Sequence, residues 1–137
     1  MTLTIHTDGG SRGNPGQAAI GVVVFQDGTT IAELKQTIGV ATNNEAEYQA
    51  VLHSLEWLAN HQFSESPTEV LWKLDSKLVV EQLSKNWKIK EPRMMDLAQK
   101  CWQALNALRM QHRFIHVPRA ENKEADALVN QALDQLT

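Results

Sequence analysis

Residues 7–16 read Thr7-Asp8-Gly9-Gly10-Ser11-Arg12-Gly13-Asn14-Pro15-Gly16, and the rest of this 137-residue chain is organised around them. A strand pattern over residues 2–8 leads into Asp8. The four glycines and the proline that follow predict an irregular loop, because glycine allows positive φ and proline fixes a turn. An acid at a strand end beside an open loop is a common place for a metal ion or a phosphate, although a solvated turn aspartate is the simpler interpretation.

The composition predicts one globular domain over residues 1–137. With 42% hydrophobic residues the chain is long enough to bury its own core. The single cysteine, Cys101, excludes an internal disulfide framework, and no apolar run is long enough to span a membrane, so we expect a cytoplasmic protein. Nothing in the sequence demands more than a monomer. The net charge of −3 argues mildly against nucleic-acid binding. If several of the acids bind divalent cations, however, the local charge matters more for nucleic-acid binding than the total charge does.

Hydrophobic periodicity predicts the element order β-β-β-α-β-α-α-β-α. The predicted strands cover residues 2–8, 18–25, 30–40, 69–74 and 111–117, and the predicted helices begin at 43, cover 76–83 and 94–108, and run from 125 to 136. Short connections make the first three strands an antiparallel meander, whereas helical crossovers make the first, fourth and fifth strands parallel. The predicted fold class is therefore α/β, a five-stranded mixed sheet with helices packed on its faces.

Four carboxylates are predicted to converge at one edge of this sheet. Asp8 follows the first strand and Asp75 the fourth, and neighbouring parallel strands bring their C-terminal ends together. Glu47 lies in the first turn of the helix after the third strand, where Asn44 is the expected N-cap and Glu47 has the spacing of a capping box. Asp126 lies in the first or second turn of the last helix.

Each of these acids also has a simpler structural interpretation. Glu47 could only complete a capping box, Asp75 could cap the next helix, and Asp126 could interact with a helix dipole. Four like charges at one place, however, repel one another and raise one another's pKa unless a cation neutralises them. Oxygen ligands without a histidine or cysteine cluster suit Mg²⁺ or Mn²⁺ rather than zinc.

Taken together, these motifs resemble type 1 ribonuclease H over nearly the whole chain and in the same order. The resemblance rests on Asp8-Gly9-Gly10-Ser11 with Gly13-Asn14-Pro15-Gly16, Thr42-Asn43-Asn44 with Glu47, Leu74-Asp75-Ser76, and the run from Arg119 to Asp126. It implies a ribonuclease H-like fold and an endonuclease that hydrolyses the RNA strand of an RNA–DNA hybrid duplex. The products would carry a 5′-phosphate and a 3′-hydroxyl.

The resemblance also implies the ligand set. Asp8, Glu47, Asp75 and Asp126 would be catalytic and would hold two Mg²⁺ or Mn²⁺ ions when substrate is bound. Asp8 would bridge the two ions, and Asp126 would serve the ion near the attacking water. Two such ions activate the water and stabilise the leaving 3′ oxygen, so no covalent nucleophile is required.

Three asparagines match family positions that contact the RNA strand: Asn14, Asn43 and Asn44. Amides offer a donor and an acceptor together, which suits the minor groove and the 2′-hydroxyl that distinguishes RNA from DNA. The alternative is that Asn14 and Asn43 are turn residues and Asn44 a helix cap, and both roles are compatible.

Two parts of the chain depart from the family pattern. Where many relatives carry a loop histidine, Arg119 occupies the nearest position; an arginine is no base near neutral pH, so we expect it to contact phosphate or help product release. His116 falls within the last strand and is expected to be packed. The extended basic handle of some relatives is reduced to four cations around Trp87, namely Lys85, Lys88, Lys90 and Arg93.

Trp87 and Lys88 would then contact the DNA strand, the tryptophan lining the channel and the lysine meeting a phosphate. The alternative is a solvated loop that Trp87 anchors to the core. Two other functions stay open: a nuclease of the same fold that also cleaves double-stranded RNA, and a catalytically weak nucleic-acid-binding module. The presence of all four acids favours an active enzyme, and the asparagines disfavour a DNA-only substrate.

Overall fold

The computed structural model describes residues 1–136, so Thr137, the last residue of the predicted domain, lies outside it. The elements are β1 (Thr2–Gly13), β2 (Gly16–Gln26), β3 (Thr29–Ala41), α1 (Asn43–Asn60), β4 (Glu69–Leu74), α2 (Lys77–Leu83), α3 (Pro92–Leu108), β5 (Gln111–His116), a 3₁₀ turn (Arg119–Glu121) and α4 (Lys123–Asp134). Apart from the short 3₁₀ turn, this is the order that the hydrophobic pattern predicts.

The strands form one mixed sheet in the order β3-β2-β1-β4-β5. β2 is antiparallel to β1 and β3, whereas β1, β4 and β5 are mutually parallel, which confirms the predicted α/β fold class. The main hydrophobic cluster joins one face of the sheet to α1, α2 and α3, with Tyr48 and Trp72 fully buried in it. α4 covers the other face, where Val129 and Leu133 pack on Ala19.

The glycine-rich stretch is a strand, so the prediction of an irregular loop after residue 8 is wrong. β1 and β2 pair continuously from Leu3↔Gln26 to Gly13↔Gly16, and the chain turns only at residues 13–16. Gly9 is required by packing rather than by φ, because a side-chain carbon there would collide with the main chain of Ala46 in α1. Gly21 on β2 is crowded in the same way by the main chain of α4.

The first helix begins at Asn43 as predicted, but its N-cap is not the predicted residue. Thr42, not Asn44, is the N-cap: its Oγ1 accepts from the Glu45 main-chain N–H, and the Glu45 carboxylate accepts from the Thr42 N–H, both at 3.1 Å. The capping box is therefore Thr42 with Glu45, which satisfies main-chain donors at the helix start. Glu47 takes no part in capping, so its carboxylate is available elsewhere.

The last helix ends earlier than predicted. α4 ends at Asp134, where the Leu136 N–H bonds the Leu133 carbonyl three residues back instead of four, and the Leu136 side chain is half exposed. Within residues 1–136, no helix is both long enough and apolar enough to cross a membrane.

Candidate active site

Three of the four predicted acids meet at the C-terminal side of the parallel strands. Asp8, Glu47 and Asp75 each present a carboxylate oxygen within 4.8 Å of the other two. They lie in a cavity of about 490 Å³ that Asp126, Arg119 and Asn43 also line. The predicted convergence of carboxylates therefore exists as a tight group of three with Asp126 beside it.

Main-chain pairing positions Asp8 and Asp75. The parallel register between β1 and β4 ends at the pair Thr7↔Leu74, so Asp8 and Asp75 are the next residues on adjacent chains. β4 stops there, and Ser76 caps α2 by accepting from the Val79 N–H at 3.3 Å. Asp75 is therefore not the cap of α2, and its carboxylate faces the cavity.

Glu47 is brought to the cavity by the close packing of α1 on β1. Because Gly9 has no side chain, the first turn of α1 lies directly against the strand, and the Gly9 N–H donates to Glu47 Oε1 at 2.5 Å. This bond fixes one carboxylate oxygen of a residue that is only 7% exposed. The other oxygen is left for the cavity.

Asp126 is positioned by a buried asparagine that the sequence did not single out. Asn122 is fully buried just before α4, and its Nδ2 donates to the Thr7 carbonyl at 2.8 Å. Its own carbonyl accepts from the Asp126 N–H at 3.1 Å. Asn122 thus joins the start of α4 to β1 one residue before Asp8, and the Asp126 charge in turn raises the pKa of Asp8.

Burial and mutual repulsion favour the protonated forms of the three central acids. Burial is the main cause that raises the pKa of Asp8 to about 7, with further contributions from Asp75 and Asp126. Burial and the neighbouring Asp8 raise the pKa of Glu47 well above its usual value. The pKa of Asp75 is raised by burial, although the Arg119 guanidinium opposes the shift.

This donor set fits a hard divalent cation. All the ligand atoms are carboxylate oxygens, which Mg²⁺ and Mn²⁺ prefer, and a cation would offset the burial and mutual repulsion that raise the pKa values of Asp8 and Glu47. Asp8, Glu47 and Asp75 could hold such an ion directly, and Asp126 lies at the rim of the same cavity.

The three asparagines lie at or beside this cavity, and Asn43 is hydrogen-bonded to Asn14. The Asn43 N–H donates to Asn14 Oδ1 at 3.1 Å, and Asn43 Oδ1 accepts from the Ser11 N–H at 2.9 Å and from Ser11 Oγ at 3.1 Å. Asn14 and Asn44 line a neighbouring cavity of about 500 Å³ that also contains Arg93. All three asparagines are exposed, so the turn and helix-start positions leave their amides facing solvent.

Arg119 lies at the mouth of the acid cavity, whereas His116 does not line it. The Arg119 guanidinium is 3.7 Å from Asp126 Oδ1, and its side chain is 80% exposed. The expectation that His116 is packed is wrong, because its residue is exposed at the end of the edge strand β5. Periodicity within a strand does not reveal that one of its edges has no neighbour.

Trp87 and Lys88 lie outside the acid cavity, on residues 84–91 between α2 and α3, which we call the basic segment. The Trp87 residue is 45% exposed, and Lys77 Nζ lies 5.9 Å from the centre of its ring. Lys85 turns toward α3, where its Nζ is 5.1 Å from the Trp102 ring. One cation of the predicted cluster, Lys85, therefore lies against α3, and Trp87 is not buried as a core anchor would be.

Sequence reasoning missed Ser11 and Asn122. Ser11 lines the acid cavity and orients Asn43; it lies in the quoted opening stretch, but nothing in that stretch reveals a partner 32 residues away. Asn122 precedes a helix, as an N-cap would, yet its side chain makes no capping bond and instead bonds Thr7 across the fold. Both roles depend on tertiary contacts that have no local sequence pattern.

Comparison with known proteins gives a consistent family. Residues 6–132 match the family model described as reverse transcriptase-like. The chain is 45% identical to the bifunctional protein Rv2228c of Mycobacterium tuberculosis over 98% of this chain and 36% of that protein. It is also 45% identical to ribonuclease HI of Halobacterium salinarum over 94% of this chain and 63% of that one. The chain thus spans only part of both curated relatives.

A solved structure extends the comparison to nearly full length on both sides. The crystal structure of LC11-RNase H1 in complex with an RNA/DNA hybrid superimposes with a TM-score of 0.93. The two sequences are 39% identical, and the match covers 98% of each chain.

Proposed function

Because the chain belongs to the ribonuclease H family, we propose that it is an endonuclease that hydrolyses the RNA strand of RNA–DNA hybrids. The observation that carries this proposal is the convergence of Asp8, Glu47 and Asp75, whose oxygens lie within 4.8 Å of one another in an open cavity. Like-charged buried acids are costly without a cation, so their retention at one place is best explained by metal-dependent chemistry.

Under this proposal the acids would hold Mg²⁺ or Mn²⁺, two ions per site with substrate bound. Bound divalent cations supply an activated water and stabilise the leaving 3′ oxygen, giving 5′-phosphate and 3′-hydroxyl ends. Asp8, Glu47 and Asp75 would hold these ions, and Asp126, which lines the same cavity, would complete the set of ligands. Arg119, exposed beside Asp126, would contact a phosphate or assist product release.

Two sets of side chains would distinguish the strands of the duplex. Asn14, Asn43 and Asn44 would bond the minor groove and 2′-hydroxyls of the RNA strand, next to the acids that cut it. Trp87 and Lys88, both exposed on the basic segment, would contact the DNA strand. The orientation of Lys85 toward Trp102 leaves few cations for this second contact, which favours double-stranded RNA as a second, weaker substrate.

A monomeric state and a cytoplasmic location stay predictions from the sequence.

The test uses one labelled RNA strand in three forms: paired with DNA, paired with RNA, and single-stranded. Each form is incubated with the protein and Mg²⁺ or Mn²⁺, with EDTA and Asp75→Asn as blanks. Metal-dependent cleavage of the hybrid supports the proposal, and added cleavage of the RNA duplex supports the second substrate. Retention of the hybrid on a gel without any cleavage would instead indicate a binding module.

A further inference from the structure

Gln82 is buried at the end of α2, and both ends of its side-chain amide are hydrogen-bonded. The fully buried Tyr48 donates its hydroxyl to Gln82 Oε1 at 2.6 Å, and Gln82 Nε2 donates to the Lys88 carbonyl at 3.1 Å. We call these two bonds the Tyr48–Gln82 bridge. It connects α1 to the basic segment through the interior of the protein.

The bridge has one possible hydrogen-bond direction. A main-chain carbonyl only accepts, so the amide nitrogen of Gln82 must face Lys88, and the amide oxygen must face Tyr48. The tyrosine hydroxyl is then the donor. Burial raises the pKa of Tyr48, which keeps this donor protonated. Losing either side chain would leave a buried polar group without its partner.

The basic segment depends on this bridge beyond its first residues. Its beginning folds back on α2, where the N–H groups of Asn86 and Trp87 donate to the Glu81 carbonyl at 2.9 and 3.2 Å. For residues 88–90, the hydrogen bond described within residues 1–136 is the one from Gln82. Ile89 adds a packing contact with the core, whereas Lys88 and Lys90 are exposed.

We propose that the Tyr48–Gln82 bridge positions the basic segment relative to α1 and thereby sets the affinity for the DNA strand. α1 also carries Asn43, Asn44 and Glu47, so the same helix would fix the RNA-reading amides, a catalytic acid and, through the bridge, the cations for the opposite strand. Tyr48 and Gln82 are positioning residues, since neither would touch the substrate. This inference rests on the proposed function.

The proposal makes a kinetic distinction that a merely stabilising role does not. Releasing the segment removes binding that is equal in the ground and transition states, so KM rises and kcat stays the same. We expect Gln82→Met and Tyr48→Phe to raise KM for the hybrid about three- to tenfold at 0.1 M salt, with kcat within about twofold. The dependence of KM on salt should become less steep by about one unit of log–log slope, as for one lost phosphate contact.

The matched control is Ser54→Ala on α1, which removes the buried hydrogen bond that Ser54 Oγ accepts from Trp72 Nε1 at 2.8 Å, away from the bridge and the basic segment. All variants are compared at a temperature well below their melting points, so that lost fold stability is separated from lost binding. If Gln82→Met does not fold, Tyr48→Phe carries the test, because it removes one oxygen and keeps the ring. A rise in KM with Ser54→Ala equal to that of the bridge variants would overturn the proposal.

Two readouts do not need catalysis. Limited proteolysis by trypsin after Lys88 and Lys90, measured without nucleic acid, should be faster in both bridge variants, because both lysines are exposed and the segment around them is released. Fluorescence anisotropy in an Asp75→Asn background should show the same three- to tenfold loss of hybrid affinity. Unchanged proteolysis and unchanged affinity would overturn the proposal for the bridge, whereas a parent protein that binds but never cleaves the hybrid would overturn only the proposed function.

Discussion

The acid cavity and the basic segment are held in place in opposite ways. Asp8 and Asp75 follow paired strands, Glu47 is fixed by a main-chain N–H of β1, and Asp126 is tied to β1 through Asn122. The basic segment is exposed and depends, in its second half, on one side-chain amide. The three acids that meet within a few ångströms are thus placed by main-chain pairing and a main-chain N–H, whereas the second half of the segment that would contact a long polyanion is held by a side chain.

This difference predicts where substitutions change rate and where they change affinity. Backbone pairing leaves little freedom, so a change among the acids alters the chemistry and leaves the fold intact. A hydrogen bond from a side chain can be removed by one substitution, so changes near the basic segment should alter the affinity for the substrate by small amounts.

Asp75→Asn should lower the rate of hybrid cleavage at least about a thousandfold, because loss of a ligand charge weakens an interaction of several kcal/mol in the transition state. The amide has nearly the same volume, so the fold should persist. The measurement is single-turnover cleavage of the labelled hybrid, with circular dichroism to confirm folding. Asp96→Asn on the exposed side of α3 makes the same chemical change outside the cavity and should retain activity. Parent-like cleavage by Asp75→Asn would refute the metal-site assignment.

The metal-free protein should lose stability as pH rises from about 4 to about 7. The pKa of Asp8 is raised from 3.8 to about 7, so the folded state holds protons that the unfolded state has released in this window. The contribution is complete below the unfolded pKa and is lost as pH rises through the folded one. We expect roughly 2–4 kcal/mol less free energy of unfolding at pH 8 than at pH 5.

Urea unfolding in EDTA measures this effect, and Asp8→Asn should flatten the pH dependence. Mg²⁺ should restore stability at pH 8, since a bound cation replaces the lost protons. A metal-free protein that is equally stable at both pH values would show that folding does not raise the pKa of Asp8, as for an acid on an ordinary polar surface.

The double variant Lys88→Ala with Lys90→Ala should raise KM for the hybrid by about tenfold at low salt and leave kcat unchanged, because phosphate contacts contribute binding but no chemistry. Steady-state kinetics between 50 and 200 mM salt, roughly the range over which phosphate contacts are lost, gives both constants. Lys100→Ala, which removes an exposed cation paired with Asp96 on α3, is the control. A fall in kcat would show that the basic segment contributes to catalysis, and it would contradict the proposal that this segment affects only substrate binding.

The smallest expected effect separates two neighbouring residues at the start of α1. Thr42→Ala should lower the free energy of unfolding by about 1 kcal/mol, because it removes the N-cap. Asn44→Ala should cost less than about 0.5 kcal/mol, as for a typical surface substitution, but should reduce the preference for RNA over DNA in the cleaved strand. Chemical unfolding and a competition assay give the two values. The reverse ranking of stabilities would restore Asn44 as the cap.

The acid cavity could be predicted in outline because it depends on where strands end. Asp8 and Asp75 meet because β1 and β4 are parallel neighbours, and the lengths of the connections predict that these strands are parallel. The detailed geometry could not be predicted. Glycines in residues 9–16 are compatible with a turn or with close packing, and only the position of α1 against Gly9 decides between them.

Side chains whose partners are distant in sequence were beyond prediction as well. Asn122 bonds Thr7 across 115 residues, and Tyr48 bonds Gln82 across 34, so no periodicity marks either pair. His116 was expected to be packed because its strand pattern is regular, yet it is exposed on a strand with one free edge. The partners and the exposure of these residues depend on the assembled fold and cannot be predicted from any local segment of the sequence.

Gly9 deserves a place among the residues that define the site, although it has no functional group. Its missing side chain allows the first turn of α1 to lie against β1, and its N–H holds Glu47. A side-chain carbon at position 9 would collide with the main chain of α1 and would push Glu47 away from Asp8. A saturation mutagenesis screen for cleavage should therefore tolerate as few replacements at Gly9 as at the carboxylates, so that a residue without a side chain limits the sequence as strictly as the residues that would bind the metal.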